Sequence, residues 1–143
     1  MKNYILILLL SLLLLLASCS PKPGNSDNTE LIIGPSTKYS VAEIEAAMDC
    51  VKDKFTDFQD CTLVKLWYDE EVSDRRIKSY QTTDDEETEH TPNKNIILFL
   101  SDFKTGSRAE MTMLKNYTYS DWQWFVINNP DTGEWEVAGY GFG

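Results

Sequence analysis

The side chains able to do chemistry are few and scattered. The densest run is 84–89, where Asp84, Asp85, Glu86, Glu87 and Glu89 put five carboxylates into six positions. A calcium loop alternates its oxygen ligands and places a glycine at the turn. These acids are contiguous and no glycine follows them. Like charge packed this closely stays solvated, so the run reads as a polar loop and no metal site is expected. His90, the one histidine of the chain, ends it. A general base needs an orienting partner and a cleft, whereas the acidic neighbours of His90 favour its charged form; an exposed loop histidine is the reading. Ser101, Asp102, Lys104, Thr105, Ser107 and Arg108 gather hydroxyls and charges behind an apolar run. They lack the glycines that precede Lys-Ser/Thr in a phosphate cradle, so this stretch reads as a strand exit. No catalytic residue and no cofactor follow from these patterns.

The aromatic residues offer binding chemistry instead. Trp122 and Trp124 alternate onto one strand face, with Phe125 and Ile127 on the other. Together with Trp67, Tyr68, Trp135 and Tyr140 they form either an aromatic core or a concave ligand or partner surface, and the sequence leaves both open. Asp102 and Asp121 are the acids associated with strands, and both sit near predicted strand ends.

These residues need a scaffold, and 143 residues with 42% apolar content allow one domain. The net charge of −10 repels phosphate backbones and anionic headgroups, which argues against nucleic acid and against docking on lipid by basic charge. At the start, Lys2 precedes an apolar run from Tyr4 to Leu16 broken only by Ser11. That is shorter than the ~20 residues a spanning helix needs and has the layout of an export signal. Its end, Leu16-Ala17-Ser18-Cys19, resembles the lipobox of bacterial lipoproteins. The resemblance implies that residues 1–18 are a signal peptide and that the Cys19 thiol carries a diacylglyceryl group. The protein is then lipid-anchored to the cell membrane on its extracytoplasmic face.

From 19 to 37 the composition turns to Ser, Pro, Gly, Asn and charge, a flexible linker. Leu31-Ile32-Ile33 is an apolar island within it, a short edge strand or a piece docked on the domain. Residues 38–143 form the single domain. Tyr39–Phe58 carries a capping box at Ser40 and Glu43, a staple between Tyr39 and Ile44, and a stripe through Val41, Ile44, Met48, Val51, Phe55 and Phe58. Cys61–Tyr68 reads as a strand ended by Asp69-Glu70-Glu71, and residues 73–80 as a short helix capped by Ser73. Asn95–Phe103 is a central strand, apolar on both faces. Residues 105–118 remain ambiguous. Asp121–Asn128 and Glu134–Tyr140 form a hairpin closed by Asn129-Pro130-Asp131-Thr132-Gly133.

The expected class is α+β, one long N-terminal amphipathic helix packed across a curved antiparallel sheet of three to four strands. Tyr39–Phe58, Cys61–Glu71, Ile96–Lys104 and Trp122–Gly141 resemble the cystatin/NTF2-like superfold, in particular small lipoprotein domains of that type from Gram-positive bacteria. Enzymes of that superfold place an acid or histidine at the floor of a pocket between sheet and helix. With Cys19 lipidated, only Cys50 and Cys61 could form an internal bridge. At ~100° per residue Cys50 lies off the apolar stripe. Cys61 lies beyond a helix end about 12 Å further on, against the ~7 Å a disulfide allows, so separate thiols are expected. The leading functional expectation is a non-catalytic module that binds a protein or envelope component. A small-molecule pocket comes second, and a hydrolase or isomerase third.

Overall fold

The computed structural model describes residues 22–81 and 95–142. Cys19, the acidic run 84–89 and His90 lie outside the described residues. Among the described residues the architecture is α+β, two helices on a five-stranded mixed sheet. In chain order the elements are β1 (Glu30–Ile33), α1 (Val41–Phe55), β2 (Cys61–Tyr68), α2 (Glu70–Gln81), β3 (Ile96–Thr105), β4 (Thr118–Asn128) and β5 (Trp135–Gly141). The strands lie side by side in sequence order, β1 parallel to β2 and the rest antiparallel.

Helix α1 begins where its capping box places it. The Ser40 hydroxyl accepts from the Glu43 N–H at 3.3 Å, and the Glu43 carboxylate accepts from the Ser40 N–H at 2.8 Å. It buries Ile44, Ala47, Met48, Val51 and Phe55 against the sheet. Val41, expected on the stripe, is 59% exposed; it stands in the first turn, and Ala47 fills the three-and-four spacing between Ile44 and Val51. The helix stops at Phe55, short of Phe58. The Phe58 N–H donates to the Phe55 carbonyl at 3.0 Å in the turn that follows, and this turn carries the Phe58 ring back into the core.

The expected fold had one long helix, a short one over 73–80 and three to four strands; the second helix runs Glu70–Gln81 and the sheet has five strands among the described residues. Asp69-Glu70-Glu71 ends β2 and also starts α2: the Asp69 carboxylate accepts from the Val72 N–H at 2.9 Å, which makes Asp69 the cap. Ser73, assigned that role from sequence, lies one turn inside the helix. Its buried hydroxyl accepts from the Leu98 N–H at 3.0 Å and ties α2 to β3. Ile97 and Phe99 belong to the core under α1. Strand alternation therefore turns Leu98 toward the α2 face, where Tyr80 lies 4.9 Å from Phe125.

Residues 22–37, read from composition as linker, are built into the sheet edge. Leu31 pairs with Leu66 and Ile33 with Tyr68, so the apolar island is an edge strand. Upstream, the Gly24 N–H donates to the Thr56 carbonyl at 3.0 Å, and Asn25 exchanges bonds with Cys61 and Leu63. A side chain at Gly24 would sit 2.0 Å from the Phe55 carbonyl oxygen. Downstream, the Glu70 carboxylate gathers the Ser36 hydroxyl at 2.5 Å, the Thr37 N–H at 2.8 Å and the Thr37 hydroxyl at 2.7 Å. These bonds hold its acid at about 2. Glycine and short polar residues serve close backbone approach here, a use that composition cannot tell from flexibility.

Candidate functional site

The aromatic residues divide between the two sheet faces. A register shift between Leu63 and Lys65 leaves Leu63, Leu66 and Tyr68 buried in the core under α1. It turns Lys65 and Trp67 the other way, where the Lys65 ammonium lies 4.5 Å from the Trp67 ring centroid. Trp67 thus leaves the expected surface. Tyr68 is buried against Phe99 at 6.0 Å. Trp124 is fully buried, and its indole N–H donates to the buried Ser101 hydroxyl at 2.8 Å. Trp135 meets Tyr39 edge-on at 6.1 Å. These three serve the core or its border, and only Trp122 and Tyr140 of the expected set come together at an opening.

That opening is a recess of about 320 Å³ lined by Phe58, Tyr119, Trp122, Tyr140, Phe142 and Met113, with Asp57, Glu110 and Thr112 completing the wall. Phe58 is its floor, 5.2 Å from Trp124 and Tyr140 and 6.3 Å from Trp122. Tyr119 and Trp122 are three apart in β4, and strict alternation would put them on opposite faces. A bulge opposite Ser101–Phe103 brings both into the same cluster. Asp121 makes it, at φ 55° with its N–H donating to Asp102 Oδ1 at 3.3 Å. The strand-end acids Asp102 and Asp121 therefore shape the strand.

The remaining wall comes from residues 106–117, ambiguous in sequence and here an ordered loop. The Asp60 carboxylate accepts from the Arg108 N–H at 2.8 Å, and the Gly106 N–H donates to the Asp60 carbonyl at 2.6 Å. Thr105 clamps the far end, its hydroxyl donating to the Leu114 carbonyl at 2.6 Å and accepting from the Tyr117 N–H at 2.9 Å. The Tyr119 hydroxyl accepts from the Leu114 N–H at 2.8 Å. Ser101 and Thr105, candidates by type, are thus engaged in packing and turn closure.

The lining presents ring faces, a thioether, hydroxyls and two carboxylates. Asp57 is paired with Lys54 at 2.8 Å, and that bond raises the Lys54 ammonium above its ordinary value. The Trp122 indole N–H is buried without a partner among the described residues. Its ring makes T-shaped contacts with Phe103 at 86° and Tyr119 at 81°. Cys50 and Cys61 are free thiols. Burial pushes Cys61 up to about 11 and raises Cys50 as well.

No protein-family model, no curated protein and no solved structure matches this chain. Among the described residues no group of three or more His, Cys, Asp or Glu side chains could hold a metal ion. No helix among them is long and apolar enough to cross a membrane. Sequence reasoning missed Tyr119, Met113, Glu110 and Phe142 as site residues. Phe58 was visible only as the last member of a helical stripe. The signal available for the others was the run of rings at 117, 119, 122, 140 and 142 around a hairpin, which alternation alone could not assign to one face.

Proposed function

We propose that this chain is a membrane-tethered, extracytoplasmic lipoprotein whose domain is a non-catalytic binding module, with the aromatic recess as its binding surface. The observation that carries the reading is the contrast within one ring cluster. Trp124 and Phe55 are sealed, while Tyr140 and Phe142 are 48% and 65% exposed beside the recess. Clustered exposed rings over a recess mark an interaction site more often than scattered single ones do. The tether rests on the apolar run Tyr4–Leu16 and on Leu16-Ala17-Ser18-Cys19. One helix in contact with β2, β4 and β5 across an antiparallel run of strands supports the cystatin/NTF2-like reading of the fold. The volume of about 320 Å³ favours a small-molecule ligand as a second reading, since it falls at the lower end of ligand pockets.

The tether predicts a diacylglyceryl-modified Cys19 at the mature N-terminus by mass spectrometry; an unmodified Cys19 refutes it. The binding surface is tested by titrating envelope extract into the full chain and following the indole N–H resonances. The Trp122 resonance should shift saturably, and Tyr140→Ser with Phe142→Ser should abolish the shift without altering the circular dichroism. A shift that survives both substitutions refutes this site.

A further inference from the structure

The rings around the recess stand at steep angles to one another. Trp122 meets Tyr119 at 81° and Phe142 at 68°, with centroids 5.6 and 5.1 Å apart, and Phe58 meets Tyr140 at 58° and 5.2 Å. Rings so arranged form a cup rather than a flat platform, and a ring turned face-inward offers the negative lobe of its quadrupole. The charged side chains in the lining are Asp57 and Glu110, both acids, and no basic side chain lines it among the described residues. Asp57 already holds the Lys54 ammonium at 2.8 Å. Glu110 has no ion-pair partner among the described residues. The chain's net charge of −10 adds a field of the same sign.

We infer that the recess binds a small organic cation of the alkylammonium class, its charged head against the ring faces and its charge balanced by Glu110. The inference rests on the binding-surface reading above and names the ligand chemistry of that site. An anion would meet two carboxylates and, over any ring face, the negative lobe of its quadrupole. A compact cation is favoured by both, and a quaternary ammonium head with a short tail is of a size with a recess of about 320 Å³. A cation over aromatic faces gains most when desolvated, as it would be in a cup.

The test uses choline and its uncharged isostere 3,3-dimethylbutanol, which has the same shape with carbon in place of nitrogen. Each is titrated into the full chain in polyoxyethylene-detergent micelles while the indole N–H resonances are followed. Choline should bind at least about tenfold more tightly than the isostere. Glu110→Gln should weaken choline about three- to tenfold and leave the isostere unchanged, and added salt should act on choline alone. Equal affinity for the two probes, or choline binding indifferent to Glu110→Gln, overturns the inference. So does saturable binding of a neutral sugar such as N-acetylglucosamine without any of choline. In each of these cases the binding-surface reading stands. If neither choline nor envelope extract moves the Trp122 resonance, both fall.

Discussion

Replacing Phe55 by Ala tests the central packing. The Phe55 ring is fully buried in the last turn of α1. It stacks on Phe58 at 5.0 Å and 13° and meets Phe103 at 5.7 Å and Trp124 at 6.3 Å edge-on. Truncating a core aromatic to Ala costs about 3–5 kcal/mol, the transfer term plus that of the cavity left behind. Each well-oriented ring pair adds about 0.5–1.5 kcal/mol beyond its area. Three such pairs on large neighbours that cannot collapse into the space put Phe55→Ala at the upper end, about 4–5 kcal/mol. Lys52, on the same helix, is off the buried face and holds Asp49 at 3.4 Å in a surface pair; Lys52→Ala should stay within about 0.5 kcal/mol. Urea unfolding followed by tryptophan fluorescence and far-ultraviolet circular dichroism gives both differences, with an unchanged slope on denaturant as the sign of two-state behaviour. Because total stability is only about 5–15 kcal/mol, Phe55→Leu, expected near 1–2 kcal/mol, supplies a measurable value if the Ala variant fails to fold. Equal effects at positions 55 and 52, or a cost at Phe55 below about 1 kcal/mol, would refute the placement of α1 on the sheet.

The remaining predictions concern the edge segment that composition assigned to a linker. Glu70 has its acid held at about 2 against an ordinary 4.5, so its contribution is complete above pH 4.5 and is lost as pH falls toward 2. Urea midpoints of the parent and Glu70→Gln should therefore differ most near neutrality and converge over that interval; a constant gap contradicts the bonds to Ser36 and Thr37. Gly24→Ala, which sets a methyl 2.0 Å from the Phe55 carbonyl oxygen, should cost about 1–3 kcal/mol. Gly139→Ala, with nothing within 4 Å, should be near neutral by the same assay; parity between the two would mean that residues 22–25 do not dock.

Much of the fold is legible in the sequence because local rules and packing agree there. Ser40 and Glu43 cap α1 as their spacing predicts, and Ile97 and Phe99 take the central strand that their apolar run requires. Gly133, at φ 73°, closes the β4–β5 hairpin with its N–H on the Asn129 carbonyl at 2.7 Å. The misreadings share one cause, which is that a residue type serves more than one backbone task. Asp69 ends a strand and caps a helix. Gly24 and Gly34 permit close approach where composition suggests slack. The candidate site was less legible than the fold, since it depends on irregularities that have no period. The shift between Leu63 and Lys65 removes Trp67 from the α1 face, and the left-handed Asp121 adds Tyr119 to it. Both steps lie outside the two-residue alternation on which strand reasoning rests.

The location of the recess follows from how this core is built. Its largest buried members include Trp124, Tyr68, Phe55, Phe99 and Phe103, flat rings that fill the sheet face with few rotatable bonds. Helix α1 covers them as far as Phe55 and then ends, while the rings continue as Phe58, Trp122, Tyr140 and Phe142. The recess is the uncovered extension of the core, so any ligand seated in it completes the burial that the helix leaves unfinished. Binding to the folded chain alone then stabilises it by mass action. Phe58, 3% exposed and in contact with Phe55 as well as Tyr140, belongs to both regions, so under the proposed binding role its substitution should lower stability and affinity together. Tyr140 and Phe142 touch the recess from the solvent side, and under the proposed binding role changes there should lower affinity while the core under α1 stays intact.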